Sequence, residues 1–533
     1  MPTNSSHHFM RRSNDARTRR RRVLDFALAS TISVASVVSS VSIESRVAVG
    51  ATKVSPASWP YPNAAQNNTR DAASSLITSA NVSTLKEAWS FTLRGNASTS
   101  VGGSGTIAAG PIVLDGIVYI QDLHSNVYAL SLATGKLDWQ YLVNKKELSG
   151  PGPNGVAVAN GMVYGATPTT VFALNASNGH VIWLDKHLLK RGQGTFGIQP
   201  QADDGRLYLA SQYGIAFGGG LLLAVDAKTG HRLWTFETVP TLSTGVTSLG
   251  LGAGGAWEPP LVGPDGTVTY GIGNPYQTVG SAYSNPAKLL YTDSVVQLNA
   301  TTGRLRWYYQ GVANDFKDYD MQASPISAIA NGVPVILGGG KMGIVYEMSA
   351  ATGTLLWKTQ VGTHNGHDDD SLKALDKKCT LKLPLTYEPG ALGGILTNMA
   401  LAGDTVYVAT CNFPFRFKNE GQVNGLNVNN TLSGAVEALN VVTGKVEWST
   451  TVNDLPLGAA TVSNDLVFTT LLKGRMIALS RATGRIVYTL RLPRATNAPI
   501  AIAGGTIIVP DGGPVTKTNK TESQVVAYRL SPG

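Results

Sequence analysis

The sequence predicts an all-β fold, an eight-bladed β-propeller of four-stranded antiparallel blades, and three observations carry that prediction. A phrase ending in an aromatic residue recurs seven times, strand signals precede each copy at a blade-sized interval, and the two chain ends hold the halves of an eighth copy. Composition agrees: 59 Gly and only 14% charged residues in a chain of 533 suit many short strands joined by tight turns.

The phrase reads ALSLATGKLDW ending at Trp139, ALNASNGHVIW at Trp183, AVDAKTGHRLW at Trp234 and QLNATTGRLRW at Trp307. It returns as EMSAATGTLLW at Trp357, ALNVVTGKVEW at Trp448 and ALSRATGRIVY, where Tyr488 replaces the Trp. The recurrent Gly supplies the positive φ of a tight connection, so each phrase is a hairpin between two strands. After the turn, residues two apart, such as Leu305 and Trp307, share one face of a strand. With two more strand signals upstream, as in 116–120 with 127–130, each unit holds about four strands, the signature of a blade. Gln524–Leu530 (QVVAYRL) looks like the first half of a phrase, and Leu85–Leu93 (LKEAWSFTL) carries Trp89 with no first half before it. Joined, they complete an eighth copy and remove the exposed edges of an open array.

Spacing between the phrase glycines runs 40–51 residues, except for 73 before the fourth Gly, Gly303, and 91 before the sixth, Gly444. Insertions in repeat proteins map to loops, and loops carry function. These two units are where a site is expected.

The net charge of +9 does not point to nucleic acid. Residues 1–51 contain eight Arg against three acids, a local +5, which leaves +4 over the rest with no basic patch interleaved with aromatics. The Arg-rich run through Arg22, the apolar stretch Leu24–Ile43 and the small residues to Ala51 have the order of a secretory signal, so export to the cell envelope or beyond is expected. Left uncleaved, the same segment would be the only membrane anchor, and residues 52–533 would form a single propeller domain. Cys379 and Cys411 lie 32 residues apart and suit either a loop-closing bridge or two separate thiols. His364 to Asp370 gathers two His and three Asp, without the alternation of a calcium loop, and reads as a polar loop.

The fourth unit runs GAGGAWEPP, VTYGIGNP and then LLYTDSVVQLNATTGRLRWYYQGVANDFKDYD, and the fifth contains LGGGKMGIVYEM. On these motifs the chain resembles the quinoprotein alcohol dehydrogenase superfamily from Trp59 to its end. The resemblance implies that Trp257 is the floor under pyrroloquinoline quinone, Asn274 a metal ligand, Asp318 the catalytic base and a metal ligand, and Lys341 a basic cofactor contact. A flat tricarboxylated quinone favours an aromatic face and cationic partners, and a calcium ion bound by hard oxygens would polarise its carbonyl. A carboxylate beside it could take the proton of an alcohol or sugar-like substrate. Three positions depart from the pattern. Gln212 stands where the family has a ligand Glu, so it offers an oxygen without charge. Asn154 stands in place of an Arg, and Lys145–Gly155 lacks the adjacent Cys pair that covers the quinone. Asn398 falls loosely where the family has an Asn-Trp pair. No Cys-x-x-Cys-His haem motif occurs, so electrons would leave to a separate acceptor. Trp257 also suits inter-blade packing and Asn274 a turn, so a cofactor-free binding or scaffold propeller remains the alternative.

Overall fold

The computed structural model describes residues 57–72, 75–93, 107–143, 152, 154–190, 193–212, 219–240, 254–284, 286, 288–376, 381–428, 432–512 and 523–531. The expected signal segment, Cys379 and most of the Lys145–Gly155 stretch lie outside them. Cys411 is buried, and burial pushes its thiol up. Among the described residues no helix is long and apolar enough to cross a membrane.

The described chain is all-β apart from a few short helices, and it is built from antiparallel sheets of four principal strands. The first contains Ile112–Leu114, Ile117–Gln121, Val127–Ser131 and Leu137–Tyr141, paired in chain order, and six more follow the same order. The last is assembled from both ends: Leu85–Thr92 pairs antiparallel with Gln524–Leu530, which continues to Thr506–Asp511 and Ala501–Ala503. Trp89 sits opposite Ala527, so the divided phrase is rejoined in register. Apolar clusters link each sheet to the next. One holds Val163 and Tyr119 of the first two sheets, another Tyr208 and Val296 of the third and fourth. The cluster containing Phe468, Ile508 and Val118 joins the seventh, the last and the first.

The repeated Trp explains both the packing and the Gly of the phrase. Trp234 donates from Nε1 to the Ala300 carbonyl at 2.9 Å, and its ring lies where a Cβ on Gly303 would sit, 2.6 Å from the nearest ring atom. Trp139 does the same with Ala176 and Gly179, and Trp357 with Val441 and Gly444. Each glycine therefore serves its own hairpin, at φ near 70°, and makes room for the Trp of the preceding sheet. Trp89 closes the series from the other side, bonding Leu132 O at 2.9 Å and lying on Gly135. Trp234→Ala is expected to lower unfolding free energy by about 3–5 kcal/mol in a urea titration. A loss below about 1 kcal/mol would mean that this contact is dispensable.

The segment 57–72 precedes the first sheet and runs along the opening strands of several. Trp59 exchanges two backbone bonds with Val113, Asn67 O accepts from Ser327 N, Thr69 O from Leu401 N, and Arg70 O from Val462 N. The long spacings are also accounted for. The helix Val279–Ser284 lies in the fourth unit, and the helix Asp370–Leu375 and a small sheet of Leu385–Tyr387, Phe415–Phe417 and Leu426–Asn427 lie around the sixth.

Candidate active site

The loop that follows the last strand of the fourth sheet, residues 311–325, threads between the ends of Thr267–Gly271 and Val333–Gly339. Met321 N bonds Ile272 O, and Lys341 N bonds Asp320 O at 3.0 Å. Such close passage requires glycine on both sides. A Cβ on Gly340 would lie 1.9 Å from Asp320 O, and one on Gly273 would lie 2.5 Å from Asp320 Oδ1. The GNP and GGGK motifs are thus the walls that let an acidic loop reach the interior.

Asp318 and Asp320 share one cation there. Lys341 Nζ lies 3.0 Å from Asp318 Oδ2 and 2.6 Å from Asp320 Oδ2. Asn274 joins the same group: its backbone N and its Nδ2 each donate to Asp320 Oδ1 at 2.7 Å, and Nδ2 also donates to Asp318 Oδ1. Its Oδ1 accepts from Tyr276 N at 2.6 Å. Asp318 adopts φ +66°, a left-handed conformation that turns its carboxylate onto Lys341. All four residues are buried. Burial raises the Asp318 carboxyl well above its usual range; Lys341 draws it back and Asp320 pushes it further. Burial also works against the Lys341 ammonium, but the two carboxylates outweigh it and raise its pKa. Asp293, fully buried beside this group, has no hydrogen-bond partner on either carboxyl oxygen among the described residues, and burial followed by its acidic neighbours raises its pKa strongly.

Three expected residues, Asn274, Asp318 and Lys341, are therefore brought into direct contact. Trp257 stands beside them, with its indole Nε1 3.1 Å from the position a Gly273 Cβ would take. Gln212 belongs to the neighbouring sheet and is not hydrogen-bonded to this group. Its Nε2 donates to Gly152 O at 2.6 Å, and its buried Oε1 has no donor among the described residues. Asn154 bonds Ser125, and Asn398 bonds Glu258 at 3.0 Å. His364 and His367 pair with Asp368 and Asp370. Asp320 was not among the expected residues, and its place follows from the missing Cβ of Gly273 and Gly340, which lets the loop enter.

The sheets have the architecture of the propellers found in quinoprotein alcohol dehydrogenases. The chain belongs to the family described as glucose/ethanol/alcohol dehydrogenase, β-propeller domain, matched over residues 59–185 and 212–363. Residues 145–254 and 341–531 also match the outer membrane protein assembly factor BamB family. Among characterised relatives, the dehydrogenase subunit of a quinone-type alcohol dehydrogenase from Gluconacetobacter polyoxogenes is 27% identical over 426 residues, 68% of this chain and 55% of that protein. A quinohemoprotein alcohol dehydrogenase from Pseudomonas putida is 30% identical over 341 residues, 56% of this chain and 45% of that protein. The chain thus spans about half the length of these two relatives. In three dimensions it matches a quinohemoprotein alcohol dehydrogenase of Pseudomonas putida with TM-score 0.75 at 22% identity, covering 89% of this chain and 80% of that one. It matches a europium-containing methanol dehydrogenase with TM-score 0.73 at 19% identity, covering 89% and 98%.

Proposed function

We propose that this chain is an exported quinoprotein oxidoreductase. On this reading it oxidises an alcohol or sugar-like substrate with pyrroloquinoline quinone and a hard cation, and passes electrons to a separate acceptor. The observation that carries the proposal is the buried group in which Asp318 and Asp320 share Lys341 beside Asn274. We take the sheets as the eight blades of a closed propeller, with the pairing of Leu85–Thr92 and Gln524–Leu530 as its closure.

The donor set suits a hard cation, since carboxylate and amide oxygens are the ligands such ions prefer. Asp318 and Asp320 would hold it, with the remaining lone pair of Asn274 Oδ1 and, from the adjacent sheet, the donor-free Oε1 of Gln212. Calcium fits this set, and the second carboxylate makes it equally suited to a trivalent ion. When bound, the quinone supplies a two-electron acceptor and the cation supplies Lewis acidity. The protein's own part is acid–base and positional. Asp318 takes the substrate hydroxyl proton, Lys341 draws the raised pKa of that carboxyl back down, Asn274 fixes its orientation, and Trp257 offers a flat apolar face.

A cofactor-free binding propeller is the second reading. Gln212 favours it, being uncharged and tied to Gly152 O where a ligand carboxylate would be needed. Titrating the purified protein with the quinone, in calcium and separately in europium, decides between them. Quenching of tryptophan fluorescence at micromolar quinone, followed by dye-linked oxidation of an alcohol panel, is the expected outcome. No binding with either cation leaves the scaffold reading in place.

A further inference from the structure

The two insertions do not hang separately from the sheets. Gly280 N, in the helix Val279–Ser284, bonds Glu420 O at 2.8 Å, and Asn314 Nδ2 donates to the Ala282 carbonyl at 3.0 Å. Tyr319 donates its hydroxyl to Pro389 O at 2.8 Å, and Tyr387 donates to Asn424 O at 2.7 Å and Lys317 O at 3.3 Å. Apart from Tyr387–Asn424, which lies within the sixth unit, these bonds join the two insertions to each other or to residues 314–319, the stretch that carries Asp318.

At the centre of that contact is Lys317. Its side chain is fully buried and points away from the pocket, toward the insertions. Nζ donates to the His367 carbonyl and lies 3.3 Å from Asp370 Oδ2, at the start of the helix Asp370–Leu375. The rings of Phe316, Tyr319 and Tyr387 surround it at 5.4, 5.5 and 5.6 Å. Asp315 accepts from the backbone N–H of Lys317 at 2.9 Å and of Tyr319 at 2.8 Å, so the turn is fixed from within as well. Lys317 and Asp318 are neighbours facing opposite ways: one is anchored in the insertions, the other is delivered to Lys341.

We propose that Lys317 is a positioning residue, and that its buried pairing with Asp370 clamps the inserted segments onto the 315–320 turn and so sets where the Asp318 carboxylate stands. The functional half of this claim rests on the reading of Asp318 as base and ligand; the clamp itself does not. A buried ammonium held by one carboxylate, one carbonyl and three ring faces has few alternative positions, which is what a rigid support for a neighbouring reactive group requires.

The test uses Lys317→Met, Asp370→Asn and the double variant in the full chain. Hydrogen exchange without added ligands is expected to show the amides of Lys317 and Tyr319 exchanging on the order of tenfold faster in each single variant, while the sheets stay protected. The double variant should be no worse than Lys317→Met, because both changes remove the same contact. Calcium affinity in the presence of quinone, read by tryptophan fluorescence, should weaken by about 10–100-fold, with a similar fall in kcat and little change in KM. Unchanged exchange at both amides in Asp370→Asn, which retains the lysine, overturns the clamp, as does loss of protection spread over all sheets. Faster exchange in a protein that never binds quinone upholds the clamp and removes the dehydrogenase reading, so the two fail separately.

Discussion

Asp318→Asn should reduce kcat for alcohol oxidation by roughly 10²–10⁴-fold, the usual contribution of a positioned general base, with unfolding free energy little changed. The substitution keeps the side-chain volume but removes the carboxylate that would receive the substrate proton. It also relaxes the site's internal charge balance. With Asp318 neutral, Lys341 keeps Asp320 as its partner at 2.6 Å, so no buried charge is stranded and the fold should hold. The same change removes one charged ligand of the proposed cation, so calcium affinity falls together with turnover. Asp320→Asn provides the contrast. It should weaken calcium binding while leaving the base in place, and excess cation should then recover most of the rate. Wild-type turnover in Asp318→Asn, or a loss in Asp320→Asn that no cation concentration reverses, would assign the base to the wrong carboxylate.

The succession of four-stranded sheets was legible because its information is local and repeated. Each copy states a turn, a face and an aromatic, and the structure adds only that each Trp rests on the glycine of the next copy. The pocket was legible only where motif order carried it. Asn274, Asp318 and Lys341 are in direct contact, but nothing local to Asp320 separates a buried carboxylate from a solvated one. Lys317 was hidden for a similar reason, since a lysine beside two aspartates reads as surface until the insertions are seen to cover it. Gln212 illustrates the converse. Its alignment with a ligand Glu gave its position, while its actual bond, to Gly152 O, depends on a loop 60 residues away.

The largest effect on stability is expected at Arg70, a residue no motif singles out. Its side chain is fully buried in the segment that precedes the first sheet, and its guanidinium binds four acceptors from three places in the chain. Nε donates to Ala460 O at 2.8 Å, and the two terminal nitrogens donate to Asn63 Oδ1, Thr461 Oγ1 and Ile500 O at 3.0, 2.7 and 2.9 Å, with the Trp59 ring 5.3 Å below. One side chain thus ties the entering segment to the seventh and last sheets, next to the seam where the chain ends pair. Arg70→Met keeps length and apolar contact but leaves two buried carbonyls without donors, and a loss of about 3–5 kcal/mol is expected by urea denaturation. Arg70→Lys should recover little, because a single ammonium cannot span acceptors arranged for a planar fork. The loss should also depend on pH. Burial pushes the Glu258 carboxyl up to about 7, while its hydrogen bond from Asn398 and the Arg70 charge hold it down. A carboxyl whose folded pKa exceeds its unfolded value, near 4.3, costs stability as pH rises between the two, since the unfolded chain gives up the proton first. In the wild type that decline ends near 7; without Arg70 the folded pKa rises further and the decline continues above it. The gap between Arg70→Met and wild type should therefore widen from pH 6 to pH 9. A gap that is flat over that range would show that Glu258 does not sense Arg70, and a loss under about 1 kcal/mol would show that the entering segment contributes little to stability.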